Sequence, residues 1–173
     1  MFPQIKTILY TTALGSHTRP VFRFTVALAR QHDAKIVLLH VVEPLSNSVR
    51  FLLDSYLPSD IVDTLREQTT HGTLEKFHKR LEQFCAEELG STLEQTPLIS
   101  EIRVVSGFTP DMILREADQV NADLIVMGTH TGSRLRTDLL GSTTRRVTLL
   151  SKRPVLIVPV ADAPDNEWPQ ALT

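Results

Sequence analysis

The chain has 173 residues, 42% hydrophobic and 22% charged, with 7 Gly and 10 Pro, which fits one packed α/β domain and excludes a disordered, collagenous or disulfide-rich chain. Eighteen Lys+Arg against twenty Asp+Glu give a formal net charge of −2 and a pI near 6.3, so the overall basic field of a non-specific nucleic-acid binder is excluded. Cys85 stands alone, with no disulfide or zinc spacing, and no apolar run approaches the roughly 18 to 20 residues of a membrane span, which predicts a soluble cytoplasmic protein.

In chain order, Met1 to Leu14 is too short for a signal-peptide core, and Thr7 to Tyr10 predicts a first strand, apolar enough to be buried on both faces. Val21, Phe24, Val26, Ala27, Leu28 and Ala29 recur at helical spacing behind a first-turn Pro20, which predicts a helix from about Arg19 to His32. Ile36 to Val42 is the second strand, in which His40 reads as a hydrogen-bonded core histidine. Glu43 to Ser59 is an insertion with an apolar Val49, Phe51, Leu52, Leu53, Tyr56 and Leu57, expected to be a lid, a binding loop or a partner surface. Asp60 to Leu89 predicts one long amphipathic helix, with Gly72 as a kink point and Cys85 as core packing.

Ile102 to Val105 is a weaker, partly exposed strand. Thr109-Pro110-Asp111 supplies an N-cap, a first-turn proline and an acid for the helix carrying Ile113, Leu114, Ala117 and Val120. Leu124 to Met127 is the next strand. A last helix, Ser142 to Leu150, is expected to turn Val147, Leu149 and Leu150 inward, and Pro154 blocks its extension. Val155 to Val160 closes the series as an edge strand that an antiparallel partner strand can cover. The expected division is a domain over 1–160 and a flexible acidic tail over 161–173 that contains Trp168.

Strict β/α alternation implies an open, doubly wound parallel sheet with right-handed crossovers, binding its ligand at the carboxyl ends of the strands where their order reverses. There, Leu124 to Met127 runs into Gly128-Thr129-His130-Thr131-Gly132, and Gly141-Ser142 opens a helix. Glycines admit close backbone approach, and free N–H groups with the helix dipole suit phosphate, so the segment reads as an anion cradle. Its spacing matches neither the P-loop nor the Gly-x-Gly-x-x-Gly pattern.

Ile8-Leu9 with Gly15-Ser16, His40-Val41-Val42, Gly107 to Pro110, Ala122 to His130, Gly141-Ser142 and Pro154 to Pro159 together resemble the universal stress protein family. The resemblance implies a Rossmann-like fold of the adenine nucleotide alpha hydrolase-like type, with five strands in the order 3-2-1-4-5. It also implies homodimerisation through the last strand, Val155 to Val160, and in one branch binding of ATP or AMP, with or without Mg2+. Carried over, the family pattern puts Val41 against the adenine through its backbone. Gly128, Gly141, Ser142 and Thr143 hold the phosphates, while Met127, His130 and Gly132 line the site and Thr12 and Ala13 border the adenosine. The nucleotide-binding branch reads Gly-x-x-Gly, nine residues, then Gly-Ser/Thr. Here Thr131 stands where the second glycine belongs, and the Thr11 to Ser16 loop lacks the aspartate that ATP-binding members usually carry.

Function therefore divides three ways: a nucleotide-binding stress module, a weak ATPase, or a member acting through an unknown protein partner alone. His130 either meets phosphate or is a solvated loop residue, and Arg134, Arg136, Arg145 and Arg146 either attract polyphosphate or solvate their surroundings. Asp138 is the only acid inside the loop, so an ATPase would have to use it. Ser16 and Ser142 have no evident His and Asp partners, no metal site is expected, and no catalytic residue is assigned.

Overall fold

The computed structural model describes residues 2–14, 18–44, 59–90, 97–129 and 140–159, with the side chains of the second helix described from Gly72 onward. The elements are β1 (Thr7–Thr11), α1 (Thr18–His32), β2 (Lys35–Val42), α2 (Ser59–Leu89), β3 (Ile99–Ser106), α3 (Thr109–Gln119), β4 (Leu124–Gly128), α4 (Ser142–Leu150) and β5 (Val155–Val158). All strand pairs are parallel, in the order β3-β2-β1-β4-β5.

The apolar runs form the buried centre of this sheet because alternate residues must be covered on opposite faces. Ile8, Tyr10, Ile36, Leu38, Leu124 and Val126 pack beneath α1 and α2 with Val21, Phe22, Val26, Ala29, Leu81 and Cys85. Leu9, Val37, Leu39, Ile125 and Met127 pack on the other face with Ile113 and Ala117 of α3 and Val147 of α4. Phe22 links the first layer, its ring 5.7 Å from Tyr10 and 5.0 Å from Phe84. Cys85 is fully buried as core packing, and α2 continues through Gly72 without a break.

Two expectations are corrected. Thr109 is not the cap of α3: Phe108 occupies the N-cap position with extended backbone, and Thr109 Oγ1 donates instead to Glu43 Oε1 at 2.7 Å, tying the start of α3 to the end of β2. Leu149 and Leu150 do not face inward but are 74% and 54% exposed. In this nine-residue helix the inward positions fall to Thr144 and Val147, three apart, and Leu149 and Leu150 rotate outward from that stripe. The described part of the last strand ends at Val158, and it does lie at the sheet edge. Most of the insertion (45–58) and the tail (161–173) lie outside the described residues.

Candidate functional site

In this strand order the direction of winding reverses between β1 and β4, so the crevice at their carboxyl ends is where a ligand meets the sheet. Tyr10 pairs with Val126, which brings Met127 and Gly128 to the level of Thr11 and Thr12. Thr11 Oγ1 donates to Val126 O at 3.4 Å across the crevice. Val41 lies at the same edge, near the end of β2 and half-buried. Thr12 and Met127 are buried, Gly128 is half-buried and Ala13 is exposed.

The loop after β1 is built by hydrogen bonds. Thr12 N–H donates to Leu39 O at 2.9 Å, and Leu14 N–H donates to Thr12 Oγ1 at 3.0 Å. The Thr12 and Thr18 hydroxyls meet at 3.3 Å, and Tyr10 OH donates to Thr18 O at 3.0 Å. Leu14 takes φ 55°, a left-handed conformation costing a residue with a Cβ roughly 1–2 kcal/mol. The loop thus holds a strained residue by local bonds at the expected binding edge.

His40 is the buried anchor of this loop. Its Nδ1 lies 2.8 Å from Thr12 O, and because a carbonyl only accepts, Nδ1 carries the proton. The ring packs on Phe77 of α2 at 4.6 Å. Burial holds the imidazole below its ordinary pKa; the Thr12 bond opposes this, and Arg80 adds to it. His40 is therefore a core histidine, as its sequence position suggested, but one bonded to a loop of the candidate site.

The other wall is the start of α4. Gly141 is its N-cap at φ −59°, ψ 157°, and among the described residues no side chain caps the helix. The N–H groups of the first turn, which includes Ser142 and Thr143, therefore face the carboxyl edge with the positive end of the helix dipole. Ser142 is exposed and Thr143 half-buried. Arg146 turns toward α3, where its guanidinium sits 5.2 Å from the centre of the Phe108 ring and 3.6 Å from Asp111. His130, Thr131, Gly132, Arg134, Arg136 and Asp138 lie outside the described residues.

The structure thus brings Thr12, Ala13, Val41, Met127 and Gly128 to one edge with Gly141, Ser142 and Thr143. Sequence reasoning missed the Thr12–His40 bond and the left-handed Leu14. A histidine interrupting an apolar strand was the one available signal for the first; nothing in the sequence marked the second. Among the described residues no group of three His, Cys, Asp or Glu can hold a metal ion, and no helix is long and apolar enough to cross a membrane.

Comparison with known proteins agrees with this architecture. Universal stress protein MJ0577 of Methanocaldococcus jannaschii is 25% identical over 157 residues, spanning 88% of this chain and 94% of its own length. Its solved structure superposes with a TM-score of 0.71 at 22% identity, covering 93% of this chain and 100% of that one. A universal stress protein solved in complex with cAMP gives 0.55 at 24% identity, over 92% and 100% of the two chains. The universal stress protein from Archaeoglobus fulgidus in complex with dAMP gives 0.50 at 19%, over 88% and 96%. The model of the universal stress protein family matches residues 4–159, and the chain belongs to that family.

Proposed function

We propose that the chain is an adenine-nucleotide-binding stress-response module, acting in the cytoplasm as a homodimer joined through its last strand. ATP or AMP is the ligand, with its base at Val41, its adenosine beside Thr12 and Ala13, and its phosphates at Gly128, Gly141, Ser142 and Thr143. Met127, His130, Thr131 and Gly132 complete the lining. The observation that carries this reading is the start of α4, uncapped among the described residues and set at the carboxyl edge of the sheet where β1 and β4 part. Backbone N–H groups bind phosphate whatever the side chains around them, so this half of the site tolerates Thr131 in the loop. Support also comes from the two family members solved with cAMP and dAMP, both adenine nucleotides.

Ala13 favours a second reading. The loop after β1 offers no acid to the adenosine, and a member that binds no nucleotide would act through protein contacts alone. Titration with ATP, with and without magnesium, separates the readings. Binding without turnover supports the first, turnover identifies an ATPase, and no binding at millimolar ATP leaves the second.

A further inference from the structure

The backbone between β1 and β2 contains an interruption that regular pairing does not explain. Lys35 N–H donates to Lys6 O at 2.8 Å and Leu39 O accepts from Thr12 N–H at 2.9 Å, so the odd-numbered residues of β2 turn their peptide groups toward β1. The even-numbered residues face β3: Ile36 N–H donates to Leu98 O, and Val42 O accepts from Gly107 N–H. Two residues beyond Leu39, a parallel ladder would give Val41 N–H to Thr12 C=O and Leu14 N–H to Val41 C=O.

Neither bond forms. Thr12 C=O accepts from His40 Nδ1–H at 2.8 Å, and Leu14 N–H turns back to Thr12 Oγ1 at 3.0 Å, with Leu14 left-handed to allow it. Among the described residues nothing else pairs the β1-facing groups of Val41. One donor and one acceptor stand side by side on a half-buried strand end, where backbone groups are normally satisfied.

We infer that His40 and Thr12 are positioning residues for the adenine base: their side chains divert both partners that β1 would give Val41, and so keep its N–H and C=O open for a ligand. The inference rests on the adenine-nucleotide reading above. Adenine matches the opening because it carries a ring-nitrogen acceptor next to its amino donor. The role of His40 is to stop the sheet from closing one residue too far.

Amide hydrogen exchange by NMR on the ligand-free protein, with ATP titration of the same samples, tests this. In the wild type the Val41 amide exchanges much faster than that of Leu39. His40→Leu frees Thr12 C=O, lets the ladder close and slows Val41 exchange at least tenfold, while ATP affinity falls about tenfold, as expected for one lost hydrogen bond. His40→Asn, whose amide N–H substitutes for Nδ1–H, restores both, a rescue that a purely space-filling role does not predict. Thr12→Val, nearly isosteric, releases Leu14 N–H to Val41 C=O and weakens ATP in the same direction, which keeps the test open if His40→Leu does not fold.

A wild-type Val41 amide as protected as Leu39 overturns the inference, as does unchanged ATP affinity in both His40→Leu and Thr12→Val. Fast Val41 exchange in a wild-type protein that binds no ATP overturns the assignment to a base, while still supporting His40 as the group that keeps the edge open.

Discussion

Arg103 of β3 and Glu116 of α3 form an ion pair at the sheet margin, with Nη1 2.7 Å from Oε2 and the glutamate only 2% exposed. Arg103 Nε also lies 2.8 Å from Glu101 Oε1, and its Nη1 donates to Gln119 Oε1 at 3.2 Å. Deleting the cation alone leaves the buried carboxylate with only the exposed Arg115, whose Nε lies 3.7 Å from Oε1, which is worse than deleting both charges. Because Arg103 is itself partly exposed and Arg115 remains beside Glu116, Arg103→Met should cost about 2 to 3 kcal/mol, less than a fully buried pair broken on one side. Arg103→Met with Glu116→Leu should recover most of that in urea unfolding. A single variant as stable as the wild type would show that the pair contributes nothing.

The proposed binding edge makes two opposite predictions. Ala13→Asp places an acid in the loop after β1, which has none, and on the proposed reading should tighten ATP about tenfold, the worth of one charged hydrogen bond. Gly141→Trp places bulk at the mouth of α4 and should abolish nucleotide binding while leaving the thermal midpoint within a few degrees. Isothermal titration of both variants is the check, and undiminished binding by Gly141→Trp would mean that the phosphates sit elsewhere.

Acid should destabilise the protein through His40. Its folded pKa lies below the ordinary value of 6.5 because the ring is buried. The unfolded chain therefore takes up a proton first as pH drops, so the contribution is whole above about 6.5 and is lost progressively below it. One proton allows a slope of at most about 1.4 kcal/mol per pH unit. Chemical denaturation at pH 7.5 and pH 5 should show a loss that His40→Asn reduces; identical losses in the two proteins would assign it to other groups.

Cys85 should be inert in the native protein. It is fully buried, and burial pushes its thiol up to about 12, with Glu82 adding to the effect. A disulfide reagent at pH 8 should label it only after denaturant is added, at the rate of global unfolding. Rapid labelling of the folded protein would contradict the packing beneath α2.

The fold was legible because its strands are unbroken apolar runs, and a run such as Ile36 to Leu39 has few other places to go than the middle of a covered sheet. Long-range choices were harder to read. Glu116 looks like a solvent-facing helix charge until Arg103, thirteen residues earlier, is brought against it. Leu149 and Leu150 look like core because hydrophobicity alone does not fix which side of a short helix is turned in. The proposed phosphate end was read from the glycines and the helix start at Gly141, which are local features of the sequence. The proposed base end depends on where Thr12 C=O points, which only the paired strands determine.

The two margins of the sheet are chemically unlike. Along β3, Ser100, Glu101 and Ser106 are exposed and Arg103 is bound in its charge cluster, whereas the described part of β5 consists of Val155, Leu156, Ile157 and Val158. Charged margins resist the addition of another strand and short apolar ones invite it. Among the described strands, addition of another strand is therefore favoured on the β5 side. In the proposed homodimer, two copies joined there about a twofold axis would exhaust it and give a closed pair with the β3 margins facing outward, not a ribbon that lengthens with concentration.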